Sequence, residues 1–514
     1  MALFTPSESP AVVVKEIDLT GGVPNVQSTT GAIVGNFRWG PVEERKAIAN
    51  ETELVATFAS PDSVNTVDFH SASYFLRYSS SMQCVRAVTS AAKNAFSDTR
   101  GTLLTGGEII AGDSNGGGFG APNVTNTSDS EGVLGPLRLA AATTMHANKS
   151  VLVKNETDWN AQQNILADTT EIPTLKTDSD GAGNFLLDSN AVIEGNHTFI
   201  AKYPGVIGNS LEVSICPGNT ANAFAGWEYK SSFDGAPSTS QYVADNPGTV
   251  ANDECHIVVL DIGGQITGTA GQVLETFPYL SILKDARNAD GTNNYALDII
   301  NQKSQYVWMA GWDSDFRVDG AGTVLQTGND NRTLLASRNA LSEHAFRNGS
   351  NSDVLTASEF ATGHDLFEDK DQVEIDFLIA PGLNQANWVT PVNDLVATAE
   401  IRKDCVVVSS PPRDKVVNVP DTSNIVTDTV TAANSVSKRS SYHIMDNNYL
   451  KVYDKYNDQY IHIPAASSTA GIMALTDRNR APWFSPAGAK RGGYLGITSV
   501  SYSPTKTQRD TLYK

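Results

Sequence analysis

The residues that could carry chemistry form few patterns. Gly116-Gly117-Gly118-Phe119-Gly120-Ala121 loosely fits a dinucleotide-binding turn. Such a turn needs a strand before it, a helix after it and an acidic residue about 20 positions on. Gly112-Asp113-Ser114-Asn115 is no strand and Pro122 opens no helix, so the stretch reads as a glycine-rich loop. Asp178-Ser179-Asp180-Gly181-Ala182-Gly183-Asn184 has oxygen ligands at positions 1 and 3 of a calcium loop and Gly at position 6. Position 5 is Ala182 and position 12 is Ser189, which leaves an exposed turn as the ordinary reading. His443 and His462 pair in the C-terminal half without a carboxylate or cysteine at metal spacing. There is no Walker loop, Gly-x-Ser-x-Gly elbow or His-Glu-x-x-His. A Ser-His-Asp triad can be assembled from distant positions, and spacing singles out no candidates. No catalytic residue, metal or cofactor is therefore assigned.

Composition narrows the classes further. The 514 residues hold 37 Lys and Arg against 57 Asp and Glu, a net charge of −20. So acidic a chain does not bind nucleic acid through a general phosphate-neutralising surface. Cys84, Cys216, Cys255 and Cys405 lie far apart; Cys84 and Cys405 sit in apolar strand-like runs and read as small buried hydrophobes. The first residues lack the basic and apolar regions of a signal peptide. No apolar run approaches the roughly 20 residues of a membrane helix, so no direct membrane span is expected. The length calls for two to four domains.

The elements that would position functional groups are clearest around Asp404-Cys405-Val406-Val407-Val408-Ser409-Ser410-Pro411-Pro412-Arg413. The β-branched run predicts a buried strand that the prolines end. Upstream, Pro391 predicts a helix start, with Val392, Leu395, Val396 and Ala399 at helical spacing up to about Lys403. Glu374 to Ala380 predicts the preceding strand. Strand, helix and strand make a βαβ unit. Gly31–Gly35 and Met82–Val88 read as strands, Glu51–Phe58 as a helix capped by Asn50, and about Pro61–Tyr78 as a longer helix. Thr99–Gly135 is rich in Gly, Ser, Asn, Thr and Asp and reads as loop or short exposed strands. Strands are expected at Leu211–Ile215, His256–Asp261, Tyr306–Ala310 and Tyr449–Tyr456. A short helix is expected at Ala470–Leu475, a strand through Leu495, Ile497 and Val500, and a helix opened by Ser503-Pro504 and cut off at Lys514.

Four stretches carry a family resemblance. Gly35-Asn36-Phe37-Arg38-Trp39-Gly40-Pro41, the strand ending in Ser410-Pro411-Pro412-Arg413, Tyr453-Asp454-Lys455-Tyr456-Asn457-Asp458, and Ser485-Pro486-Ala487-Gly488-Ala489-Lys490-Arg491 resemble the contractile tail sheath proteins of T-even-type bacteriophages. Tyr203–Ile215 and Val273–Leu283 look like further pieces of that family. The resemblance implies a structural virion protein rather than an enzyme. Its copies would form hexameric rings stacked helically around the tail tube, beside baseplate and tail terminator proteins. It would be assembled in the host cytoplasm, and contraction would drive the tube through the host envelope and eject the genome. It also implies a further part beyond residues 508–513, without which the chain is expected to be mostly monomeric.

The expected fold is an α/β core, discontinuous in sequence and built from βαβ units, with two inserted α+β or β-rich domains. The boundaries are an N-terminal arm at 1–20, first core part at 21–95, outer insertion at 96–190, second insertion at 191–350, and second core part at 351–514. Val12, Val13, Val14 and Ile17 would form an arm strand joining a neighbour's sheet, the other reading being an edge strand of the chain's own core. Lys490 and Arg491, like Lys438-Arg439, are basic spots that read as solvated surface or as contacts to a neighbouring copy or the tube. The runner-up function is a β-rich virion or secreted carbohydrate-binding or adhesive protein. A third, an α/β enzyme, would place its site near Pro381–Gln385 and Ser409–Arg413, where only Arg413 and Asp414 are titratable.

Overall fold

The computed structural model describes residues 29–98, 152–160, 197–218, 221–245, 252–283, 286–309, 341–352, 354–488 and 491–513. The arm strand with Val12, Val13, Val14 and Ile17, the stretches at 116–121 and 178–184, and Lys490 lie outside the described residues.

In chain order the first part holds β1 (Gly31–Gly35), β2 (Arg45–Ile48), α1 (Glu51–Phe58), α2 (Thr66–Leu76) and β3 (Met82–Arg86). The middle holds β4 (Phe96–Asp98), β5 (His197–Ala201), β6 (Leu211–Pro217), β7 (Glu254–Asp261), β8 (Gln272–Ser281), α3 (Ala296–Lys303), β9 (Val307–Met309) and β10 (Ser342–Ala345). The last part holds α4 (Ala357–Asp365), β11 (Phe377–Ile379), α5 (Gln385–Arg402), β12 (Val406–Ser409), α6 (Thr422–Ser435), β13 (His443–Met445), β14 (Tyr449–Asp454), β15 (Gln459–Pro464), α7 (Ala465–Asn479), β16 (Ser499–Val500) and α8 (Lys506–Leu512).

One sheet joins the two ends of the sequence. Its order is β13-β12-β11-β1-β3-β2, parallel from β13 to β3, with β2 antiparallel at the edge. Successive strand residues face opposite sides. Ala32, Val34, Leu378 and Val407 pack with Trp388, Val392, Leu395 and Ala432 of α5 and α6. Ile33, Cys84, Ile379 and Val408 pack with Leu54, Phe58, Phe69, Phe75, Ala466 and Ala470 of α1, α2 and α7. The sheet is thus covered by helices on both faces, which is why its strands are continuous apolar runs. The middle of the chain makes antiparallel sheets, β10-β6-β7-β8 and β4-β5-β9, and β15-β14-β16 forms a further small sheet.

Several elements differ from their sequence expectation. Pro391 does not start α5 but lies inside it. The helix begins at Gln385, whose N–H donates to Asp414 Oδ1 at 2.6 Å, and Trp388 fastens that first turn by donating from Nε1 to Ser410 O at 2.8 Å. A carboxylate 29 residues away satisfies an N-terminal donor, and no local pattern shows it. The strand expected from Glu374 pairs only from Phe377, because Thr30 and its neighbour Gly31 meet it there: Asp376 N and Phe377 N both donate to Thr30 O. Helix α7 runs well beyond Ala470–Leu475. Its start is made of buried Ala465, Ala466, Ser467 and Ser468, too small to display an apolar stripe. The strand expected from Leu495 shrinks to two residues, since Gly496 turns the chain at φ +70°. The last helix is capped by Thr505 in a capping box with Gln508, not by Ser503-Pro504.

Candidate functional site

The Gly35–Pro41 loop follows β1 and is organised by a buried arginine on β3. Arg86 is 1% exposed. It donates from Nε to Phe37 O at 2.7 Å, from Nη1 to Gly40 O at 2.8 Å, and from Nη2 to Arg38 O at 3.2 Å and Pro204 O at 2.7 Å. Burial lowers its pKa to about 9, which still leaves it charged at neutral pH. The guanidinium fork suits several acceptors at once. Gly40 has φ +96°, and a Cβ there would lie 2.6 Å from Thr57 O. Trp39 donates its N–H to Phe58 O and packs edge-on to Tyr203 at 5.5 Å. Pro41 is buried. Gly35 lies against Asp68, whose carboxylate accepts from Asn36 N at 2.8 Å; burial pushes Asp68 up to about 6. This loop therefore ties the sheet to the middle region through Arg86 and Trp39. Sequence reasoning missed Arg86. An arginine ending the apolar run Met82–Val85 was the available signal.

The Ser410–Arg413 turn sits where β12 ends. Ser410 donates to Asp446 Oδ2 at 2.9 Å and accepts from Ala466 N at 3.0 Å, so it joins the chain after β13 to the start of α7. Tyr449 donates its hydroxyl to Pro411 O at 3.0 Å; Pro411 and Pro412 are buried. Arg413 N donates to Leu383 O at 2.8 Å. Burial pushes Asp446 up to about 7, against its bonds from Asn448 N and Ser410. Ser409 Oγ meets His443 Nε2 at 2.8 Å. More titratable groups thus gather here than Arg413 and Asp414 alone, and the added ones, His443 and Asp446, are engaged with Ser409 and Ser410.

Asp454, at the end of β14, is fully buried. It accepts from Thr66 Oγ1 at 2.8 Å, Asn457 Nδ2 at 2.8 Å and Tyr456 N at 2.9 Å. His70 Nε2 lies 3.1 Å from Oδ1, close enough for an ion pair though poorly aligned for a hydrogen bond. Burial opposes the charge on Asp454, yet its bonds from Asn457, Thr66 and Tyr456, with the His70 ring beside it, prevail and hold it at about 2. Tyr456 donates to Glu51 Oε1 at 2.9 Å and Asn457 to Pro61 O at 3.2 Å. Residues about 400 positions apart in sequence are clasped at this turn. Tyr453 and Asp458 are its outer edge, joined hydroxyl to carboxylate at 2.6 Å.

The Ser485–Gly488 stretch is of a different kind. Its residues are largely exposed, Gly488 has φ +119° with open space around it, and the bonds are local: Ala487 N to Ser485 Oγ, and Arg491 N and Gly492 N to Gly488 O. The Arg491 guanidinium stands 5.9 Å over the Phe484 ring. Pro486 is half-buried and Trp483 is 82% exposed. Lys438 and Arg439 are exposed on the loop after α6.

All four cysteines are free and buried, as expected for Cys84 and Cys405. Among the described residues no three His, Cys, Asp or Glu side chains are grouped to hold a metal ion, and no helix is long and apolar enough to cross a membrane. His462 lies on β15 opposite Lys451, while His443 is held by Ser409.

No protein-family model matches the chain. It is 26% identical over 552 aligned residues to the tail sheath protein of Enterobacteria phage T4, covering 98% of this chain and 78% of that protein. To the tail sheath protein of Vibrio phage KVP40 it is 24% identical, covering 98% and 79%. Among solved structures, a sheath tail protein from Listeria innocua aligns at 9% identity with a TM-score of 0.42, over 94% of this chain and 62% of that one. The resemblance in the four motifs thus extends along nearly the whole chain: it is similar to contractile phage tail sheath proteins.

Proposed function

We propose, from that similarity, that this chain is a structural subunit of a contractile bacteriophage tail sheath and not an enzyme. The observation that carries the reading is the match over 98% of the chain to tail sheath proteins, with three of the four motifs placed as scaffold. Arg86 and the Gly35–Pro41 loop, Ser410 with Asp446, and Asp454 with Thr66 and His70 fasten distant parts of one body. A subunit that transmits force needs such cross-links more than it needs a cavity.

The sheet also speaks against the enzyme alternative. In an open parallel sheet, ligands bind beyond the strand ends where the order of winding reverses, here between β1 and β11. Gly382 in that position packs against Pro464 and Val67, 3.0 and 3.1 Å from where a Cβ would stand. Pro464 and Val67 thus stand close against that strand end.

In this reading 21–95 and 351–514 form the core, 96–190 and 191–350 are inserted domains that project from it, and 1–20 is an arm whose Val12, Val13, Val14 and Ile17 add a strand to a neighbour's sheet. Copies assemble as hexameric rings in a helical stack, by heterologous contacts, around a tail tube and between baseplate and terminator proteins. Lys490 and Arg491 face a neighbour or the tube. Contraction releases a metastable packing and drives the tube through the host envelope. Immunogold electron microscopy of phage particles encoding this chain tests the proposal. Label along the tail, in extended and contracted particles alike, is the expected result. Tails free of label, with label on capsid or fibres, would overturn it.

A further inference from the structure

His256 on β7 is fully buried, and both of its ring nitrogens are engaged. Tyr279 N donates to Nδ1 at 3.0 Å, and Nε2 donates to Gly235 O at 2.8 Å. A backbone N–H only donates and a carbonyl only accepts, so the two bonds require the neutral ring with its hydrogen on Nε2. The ring is also stacked. Phe233 lies parallel to it at 4.2 Å and Trp227 nearly parallel at 6.4 Å, while Phe224 and Tyr279 meet it edge-on at 5.9 and 4.6 Å. Phe224, Trp227, Phe233 and Gly235 belong to one strap of chain, laid over the face of β6 and β7 that carries Cys216, Val258 and Leu260. Trp227 pins it further, donating from Nε1 to Ser214 Oγ at 2.9 Å. Tyr279 stands where the register between β7 and β8 shifts, with φ +51°. A left-handed backbone at a residue other than glycine persists only where its surroundings hold it, and the bond to His256 is part of that hold.

We infer that His256 is a proton-operated latch, whose protonation releases the strap 224–235 from the sheet. The imidazolium carries an N–H at both nitrogens. It meets the Tyr279 N–H donor to donor, and turning the ring over only brings its other N–H to the same place. Its charge also lies away from water. Burial accordingly holds the His256 pKa below its ordinary value, against its backbone bonds with Gly235 and Cys255. The other groups on this face do not open the strap with acid. Glu212 on β6 and Glu254 on β7 are pushed up, by burial first, so acid stabilises their folded forms. Glu343 on β10 and Glu228, Lys230 and Asp234 on the strap are exposed and change their surroundings little on opening. Burial pushes Tyr229 and Cys216 up, away from neutral pH.

Amide hydrogen exchange of the full chain, followed peptide by peptide and corrected for the intrinsic pH dependence of exchange, tests the latch. A His whose folded pKa is depressed stabilises the closed form fully above its ordinary value, and that contribution is lost as pH falls. Protection of 224–235 and of Tyr279 should therefore drop by up to about tenfold for each pH unit below about 6.5. Peptides from β1 and β12 should hold their protection over the same range. His256→Gln has no proton to gain there, so its strap should show the same protection throughout. Should that variant fail to fold, the ring ¹⁵N shifts of His256 in the parent report the tautomer and its titration directly. Strap protection independent of pH, a loss shared equally by β1 and β12, an unchanged loss in His256→Gln, or a His256 that titrates at or above about 6.5 would each overturn the latch. The proposed structural role does not depend on it, and either can fail alone.

Discussion

Asp454 has lost all its exposure and holds the ends of the sequence together, whereas Ser485 and Gly488, further along the same chain, touch little beyond their own loop. Both stretches are equally conspicuous as motifs. The difference lies in what each would lose if altered. Asp454 accepts from Thr66 of α2 as well as from Tyr456 and Asn457 of its own turn, so a change is felt as stability. Around Gly488 there is open space, so a change is felt only if something outside the chain uses the surface. A motif is therefore not one kind of residue. Burial divides those that build the subunit from those left free for a partner.

The largest effect is expected at Arg86, on the buried side of that division. Arg86→Met would leave four carbonyl oxygens without their donor. A buried polar network broken from one side costs about 3–5 kcal/mol, and unpaired acceptors carry much of that. Arg86→Lys keeps the charge but reaches fewer acceptors, so it falls between. Urea unfolding would measure both. A loss below about 1 kcal/mol for Arg86→Met would show that the loop and the middle region hold without it.

The carboxylates give the next effect, and their signs oppose. Asp454 is held at about 2, below its ordinary value near 4. Its contribution is present above that ordinary value and is lost as pH falls towards 2. Asp446, pushed up to about 7, behaves in reverse. Folding favours its protonated form, so its stabilisation is full below about 4 and lost as pH rises through 7. Asp454→Asn should cost about 1–3 kcal/mol at neutral pH and flatten the acid limb of the stability curve. Asp446→Asn should instead flatten the decline between about pH 4 and 7. Unfolding midpoints across pH for the two variants would separate them; curves of the same shape would refute the opposed assignment.

What could be read from the sequence follows the same division. The apolar runs Ile33-Val34 and Val406-Val407-Val408, and Asn50 as the cap of α1, were legible because each is local: a run of β-branched residues or a side chain three positions from the N–H it accepts. Long-range partners were not. The start of α5 depends on Asp414 and Ser410, and the role of Arg86 depends on carbonyls that meet it only after folding. Helix α7 was cut short for a related reason. Gly471 admits Tyr78, whose ring would stand 2.4 Å from a Cβ, so close approach rather than an apolar stripe fixes that helix.

The smallest effect belongs to the exposed motif. Ser485→Ala and Pro486→Ala remove one weak local bond and one ring, and surface changes of this type usually stay within about 0.5 kcal/mol. Their unfolding curves should overlay that of the parent. The comparison sharpens if the same two variants lower incorporation into tails, because a residue that costs nothing in the free chain and something in the assembly acts through a partner. If instead they destabilise the isolated chain as Asp454→Asn does, the loop is scaffold after all and the division between the two motifs disappears.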